Sequence, residues 1–310
     1  MSKLTRKTII LAAIEAVVGT DAVPTGALNA ILARNVSPNP AAATYASRDV
    51  VRPYLGNSEQ LPADIHSELD FEVELAGAGT AGHAPKWAPL LLACGFAEAL
   101  TDGVDAKYTP ISDNPPTLTL YYYLDGIFHK MTSARGTVAL DLTAKSIPVL
   151  KFKFTSLYND VVDQALPAGV DYDDFQKPLV VNKANTPNFM FQGVSSPLQA
   201  LTIDVANAIN YQNLVNQESV DLTDRKPAGT ATLQLTSVAA KDWWAAVRDA
   251  VTGALTITHG KTAGNIVQID APRVQASNLS YSDQNGTAML GLNLTFVPVE
   301  GNDELVITVK

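Results

Sequence analysis

One cysteine, four histidines and a deficit of positive charge are the first absences in this 310-residue sequence. With Cys94 alone, no intrachain disulfide can form. It sits in the apolar stretch Ala84–Leu100, with no basic or histidine neighbour to lower its pKa. It therefore reads as a buried structural thiol, consistent with folding in a reducing cytoplasm. His66, His83, His129 and His259 are scattered without ligand spacing, and no metal or cofactor site is expected. The 22 Lys and Arg against 31 Asp and Glu give a net charge of −9, which excludes a binder that grips nucleic acid by neutralising phosphates. No segment approaches the ~20 apolar residues of a membrane span. Lys3, Arg6 and Lys7 before Thr8–Ile14 imitate a signal peptide, but Glu15 interrupts the apolar run and no small-residue cleavage site follows. The segment is read as an arm of the mature protein. P-loop, G-x-S-x-G and H-E-x-x-H motifs are missing, so nothing demands an enzyme.

What is present is ordinary globular composition, 46% hydrophobic and 17% charged. The length suits two domains of about 150 residues or one large one. Period-2 patterns dominate. Leu69–Leu75 alternates strictly, with Leu69, Phe71, Val73 and Leu75 on one face and Asp70, Glu72 and Glu74 on the other, as in a half-buried strand. Further strands are predicted at 117–124, 127–132, 137–143, 149–155, 201–209, 230–236, 254–259, 265–270, 274–281, 287–296 and 304–309. Two helices are expected, Pro85–Ala99 opening on a proline and Val238–Val251 after an N-cap at Ser237. The fold class is thus mostly β with two flanking helices.

An internal repeat organises these elements. Leu150–Thr155 alternates shortly before Asn159-Asp160, and Leu290–Thr295 does the same before Asn302-Asp303. Gly126 precedes Arg135 at the spacing by which Gly264 precedes Arg273. Each half also runs from an alternating strand to a tryptophan-bearing helix, Trp87 in one and Trp243-Trp244 in the other. The first half carries an extra loop, Thr101–Pro116. Duplication explains this order, with chance similarity of β patterns as the alternative. The expected division is 1–158, a linker or arm at 159–197, and 198–310. Asp171-Tyr172-Asp173-Asp174 lacks the glycine and distal glutamate of a calcium loop and reads as a solvated acidic turn.

Gly77-Ala78-Gly79-Thr80-Ala81-Gly82 matches G-x-G-x-x-G, with Asp102 near where a ribose-binding acid would stand. The strand before it has a charged face, whereas a central parallel strand is apolar on both. His83, Ala84 and Pro85 separate its last glycine from the helix, and the surroundings are hairpin-rich rather than βαβ. It is read as a flexible strand-to-helix loop.

Three blocks carry a family resemblance: Ile14–Leu32, Ser47–Gly56, and Phe71 through Gly77–Gly82 to Ala84–Trp87 and Leu90–Gly95. Together they cover roughly the first hundred residues, and they resemble major tail tube proteins of siphophages of the Mu-like and Pseudomonas-prophage type. The resemblance implies a β-sandwich flanked by a helix, whose inner sheet joins its neighbours' sheets into a closed barrel. Two tandem tail-tube-type β-sandwich domains in one chain would let a trimeric ring imitate a hexameric one. Stacking would fall to the N-terminal arm Met1–Val18, the loop Val36–Pro62 with Arg48, Asp49, Arg52 and Tyr54, and the interdomain arm. The implied partners are further copies of the chain, a tape measure protein and double-stranded DNA in the lumen, and terminator and distal tail proteins at the ends. The implied location is the virion tail, assembled in the host cytoplasm, with no membrane.

Barrel geometry accommodates this. If each domain gives about four strands, six give about 24; at ~4.8 Å spacing and a tilt near 40° the backbone diameter is about 45–50 Å. Side chains of ~5 Å on each wall leave roughly 35–40 Å, enough for a hydrated duplex. A neutral or acidic wall would keep phosphate from sticking. The candidate lumen face is Asp70, Glu72 and Glu74, matched by Thr232, Gln234 and Thr236 in the second half, while Lys151 and Lys153 cut against it unless neutralised. Two other readings compete: a baseplate or carbohydrate-binding β-sandwich, and a nucleotide-binding enzyme using Gly77–Gly82.

Overall fold

In chain order the elements of the computed structural model, which describes residues 2–310, begin with β1 (Thr8–Ile14), α1 (Gly26–Asn29), β2 (Ala30–Ile31), β3 (Ala33–Ser47) and β4 (Gln60–Glu74). Then come α2 (Ala88–Leu92), β5 (Phe96–Thr101), β6 (Asp105–Pro110), β7 (Leu118–Leu124), β8 (Ile127–Thr143) and β9 (Val149–Leu157). The middle holds β10 (Val162–Asp163), β11 (Asn188–Phe191), β12 (Leu198–Asp204), β13 (Asn207–Leu214), β14 (Gln217–Arg225) and β15 (Ala228–Gln234). The chain closes with α3 (Trp243–Arg248), β16 (Thr252–His259), β17 (Val267–Gln284), β18 (Thr287–Phe296) and β19 (Val306–Val309).

The fold is mostly β. Its backbone is an antiparallel sheet in which β3, β4, β9, β8, β12, β15, β18 and β17 are successive neighbours. One face of each strand is apolar by the period-2 rule. Leu69, Phe71 and Val73, then Leu150, Phe152 and Phe154, then Leu201 and Ile203, then Leu290, Leu292 and Leu294 are all buried. Against that face pack β7 with β1, and β16 with β11. β8 and β17 serve both layers. The first half of β8 pairs with β7 and the second with β9, while β17 pairs first with β16 and then with β18. One buried cluster runs from Ile10 to Val309.

Several expectations change. Both expected helices are shorter than their apolar stretches; after α2 the residues beyond Gly95 (φ 80°) turn into β5, and α3 spans only Trp243–Arg248. The N-cap of α3 is Asp242, whose carboxylate accepts from Ala245 N–H at 2.8 Å, rather than Ser237. Thr101–Pro116 is largely the β5–β6 hairpin, and β6 pairs with β19. Thr8–Ile14 is a paired strand with Ile10 and Leu11 buried; Met1 of the expected arm lies outside the described residues. Val36–Pro62 is mostly two long strands around a loop at 48–59. Segment 159–197 packs closely: Leu166, Val170 and Tyr172 cover Leu11, Tyr121, Tyr123 and Phe128, and β11 joins β16.

Candidate functional site

The outer face of the eight-strand backbone is mostly polar, in two different chemistries. On the first half Asp70, Glu72 and Glu74 of β4 stand opposite Lys153, Lys151 and Val149 of β9. Arg34 of β3 reaches Glu72 at 2.9 Å and Glu74 at 3.7 Å. Lys151 Nζ lies 2.8 Å from Asp141 Oδ2. Both lysines therefore do share the face of the carboxylates, and they stand among anions. Burial raises the Asp70 carboxyl, Lys153 lowers it and Glu68 raises it, for a net rise. Burial also raises Asp141, but hydrogen bonds from Lys151 and Thr143 and the charges of Lys151 and Arg34 outweigh it and hold it below the usual range.

On the second half the same face carries one carboxylate, Asp204 of β12, and is otherwise uncharged. Thr230, Thr232 and Gln234 of β15 stand opposite Asn293, Gly291 and Met289 of β18. Matching Leu290–Thr295 to Leu150–Thr155 brings Thr230, Thr232 and Gln234 to the places of Asp70, Glu72 and Glu74. Thr236 lies beyond the end of β15, its hydroxyl buried without a partner. Thr202 and Thr230 hydroxyls bond at 2.7 Å across the β12–β15 ladder.

Arg48, Asp49, Arg52 and Tyr54 all lie in the exposed loop between β3 and β4. Arg48 pairs with Glu59. Asp49 and Arg52 have no ion-pair partner among the described residues. Val51 and Leu55 are fully exposed and Tyr54 is 66% exposed, a concentration of apolar surface that a solitary soluble protein rarely keeps.

Among the described residues both ends of the eight-strand sheet are bare. The outer edge of β3 pairs with nothing, nor does that of β17 along Ser280–Gln284, the stretch beyond its bulge at Ser277/Ser280. Unpaired edges of this length invite another strand.

The glycine loop is packed against Gly264 and Asn265. Gly77 N–H donates to Asn265 Oδ1 at 2.6 Å and Gly79 N–H to Gly264 O at 2.8 Å. A Cβ at Gly77 would stand 2.2 Å from Gly264 O, and one at Gly82 would stand 2.4 Å from Thr101 O. These glycines let two backbones touch and leave no cradle for a pyrophosphate. Cys94 is buried, and burial pushes its thiol up. His259 is buried between Thr186 Oγ1 (2.9 Å) and Leu179 O (3.1 Å). Asp174 pairs with Lys86 at 2.8 Å, and among the described residues no group of three or more His, Cys, Asp or Glu is arranged to hold a metal.

The sequence reading missed Glu15. Its carboxylate is buried and accepts from Thr117 Oγ1 (2.6 Å), Thr119 Oγ1 (2.9 Å), Ser133 N–H (2.8 Å) and Gly19 N–H (2.7 Å). The signal was an acid closing an apolar strand. It also missed the buried pair of Arg225 and Glu304, 2.6 Å apart. No helix is long and apolar enough to cross a membrane among the described residues.

Comparison with protein families gives one match, a phage tail tube protein family whose model aligns with residues 5–306. The chain belongs to that family, a structural component of the virion tail. No curated protein matches it.

Proposed function

We propose that the chain is a major tail tube subunit carrying two copies of one tube domain, 1–158 and 198–310 joined by 159–197. Three subunits close a ring of pseudo-hexameric symmetry, and stacked rings form the DNA conduit of a long non-contractile tail. The observation that carries this reading is the junction of β8 with β12, where Ala139–Thr143 pairs with Asp204–Ala200 and fuses two four-strand sheets, β3-β4-β9-β8 and β12-β15-β18-β17, edge to edge.

Duplication is supported by matching irregularities. The ladder of β3 and β4 skips a residue between Thr44↔Asp64 and Tyr45↔Pro62, and that of β13 and β14 does so between Ala208↔Asp224 and Ile209↔Leu222. Applying the β8–β12 register to the free edges sets Ser280–Gln284 of one subunit against Asn39–Arg34 of the next. Three such closures give the ~24-strand barrel whose lumen is wide enough for a duplex.

In that ring the polar face lines the lumen. Asp70, Glu72 and Glu74 supply negative charge, Thr232 and Gln234 neutral surface, and the anions beside Lys151 and Lys153 keep them from holding phosphate. Arg48, Asp49, Arg52 and Tyr54 contact the adjacent ring. The lumen holds a tape measure protein and then double-stranded DNA, terminator and distal tail proteins cap the ends, and assembly takes place in the host cytoplasm. Negative-stain microscopy of the concentrated protein tests the reading: tubes or stacked rings are expected, and discrete monomers at every concentration would overturn it.

A further inference from the structure

We propose that the β3–β4 hairpin of each subunit lies across the second half of its ring neighbour, as the β13–β14 hairpin lies across the first half within the chain. The inference rests on the ring reading above. Within the chain the contact is fully described. Tyr211 stacks on His66 with ring centroids 4.7 Å apart and donates to Ile65 O at 3.1 Å. Arg135 donates to Val220 O at 2.6 Å, and Asn207 Nδ2 donates to Cys94 O and Gly136 O. Leu222 Cδ1 reaches the ground above Gly95, 2.9 Å from where a Cβ would stand.

The contact leaves a mark on the hairpin it covers. Asn207, Ile209, Tyr211, Val220 and Leu222 share its inward side and are buried or half-buried, while Ala208, Asn210 and Gln212 are exposed. Through the shared ladder irregularity, Tyr45 takes the place of Ile209 and Pro62 that of Leu222. Ser47 and Gln60 take those of Tyr211 and Val220. All four are exposed, Tyr45 by 59%, and the burial alternation is gone. The side is apolar at its base, and nothing among the described residues of the same chain covers it.

The receiving ground on the second half is open. Lys226 stands where His66 does, Gln275 where Arg135 does, and Ala250, which ends α3 with φ 52°, where Gly95 ends α2. A groove of about 620 Å³ lies there, lined by Arg225, Lys226, Pro227, Phe296, Pro298 and Glu304. Glu304 is only 5% exposed, and its Oε2 has no hydrogen-bond partner. A donor from an incoming hairpin, such as the Tyr45 hydroxyl, would satisfy it.

A physical need for this contact appears at the ring junction. Val205 N–H donates to Val138 O, so alternate N–H groups of β12 point at β8. Pro40 and Pro38 hold the places of Val205 and Ile203, and neither has an N–H to offer. The junction between subunits is thus poorer in ladder bonds than the one inside the chain. The prolines protect the free edge from random pairing, and the hairpin supplies the missing contact area.

The test is cross-linking in assembled tubes. Full-length Pro62→Cys and Ala250→Cys variants, each leaving buried Cys94 in place, are mixed, assembled and treated with a short bis-maleimide. A chain-to-chain adduct is expected from the mixture and not from either variant alone. Tubes that form without that adduct would overturn the proposal. Should the variants not assemble, wild-type hydrogen exchange decides: amides of 42–47 and 60–61 are expected to slow by about tenfold or more on assembly, and unchanged exchange in tubes would overturn it. Wild-type protein that forms no tubes at all contradicts the ring reading instead.

Discussion

Lys151 Nζ sits 2.8 Å from Asp141 Oδ2 across the β8–β9 ladder, so this lysine of the polar face carries its own counter-ion. Asp141→Asn removes that anion and leaves the fold's polar face otherwise intact. Particles carrying it are expected to release DNA more slowly than wild type at low salt, with the difference shrinking as salt screens the exposed cation. Release followed by dye fluorescence reads this out, and a salt-independent defect would point to a packing fault instead.

Glu15 is the fixed point of the outer layer. Replacing it by alanine leaves Ser133 and Gly19 N–H groups and two threonine hydroxyls without their acceptor. The expected loss is about 3 kcal/mol or more, since stranded buried donors each cost roughly 1–3 kcal/mol. Urea unfolding of Glu15→Ala against wild type measures it, and Glu15→Gln should fall between the two.

Protonation of buried histidine should set the acid limit of the subunit. Burial lowers His259, a backbone hydrogen bond from its ring to Leu179 partly opposing, and burial lowers His129 as well. Their folded values lie below the ordinary one, so the unfolded chain takes up protons first as pH falls. The histidine contribution is fully present above about pH 6.5 and is lost as pH drops through the folded values. Midpoints of denaturation at pH 7.5 and 5.5 are expected to differ, with His259→Asn flattening the difference.

Gly77 separates the packing account of the glycine loop from a nucleotide site. Its Cβ would meet Gly264 O at 2.2 Å, a backbone atom that cannot swing away. Gly77→Ala is therefore expected to lower the melting temperature by several degrees, consistent with about 1–3 kcal/mol of strain. Nucleotide added to either protein should leave melting unchanged.

Much of the sheet was legible because one-sided burial writes itself into sequence with period 2, as in Leu69–Leu75 and again along Thr287–Phe296. Strands lacking that contrast went unseen. β3 and the outer part of β4 are exposed on both sides, so their residues carry no alternation and read as loop. β14 shows the contrast only briefly, at Val220 and Leu222. Helix ends were overrun because Phe96–Leu100 continues the apolar run of α2, and only the positive φ of Gly95 breaks it. The polar face was readable at Asp70, Glu72 and Glu74. The partners of Lys151 and Lys153 were not, since Asp141 meets Lys151 only through strand pairing. The bare edge of β17 is a property of topology with no local sequence signal, whereas Pro38 and Pro40 are the local mark of an edge strand in β3.

A cryo-electron microscopy map of the assembled tube tests the central claim most directly. The account predicts three subunits per ring, about 24 strands around the lumen, and Ser280–Gln284 of one subunit beside Arg34–Asn39 of the next. A ring of six subunits, or one in which β3 and β17 remain unpaired and face solvent, would contradict it.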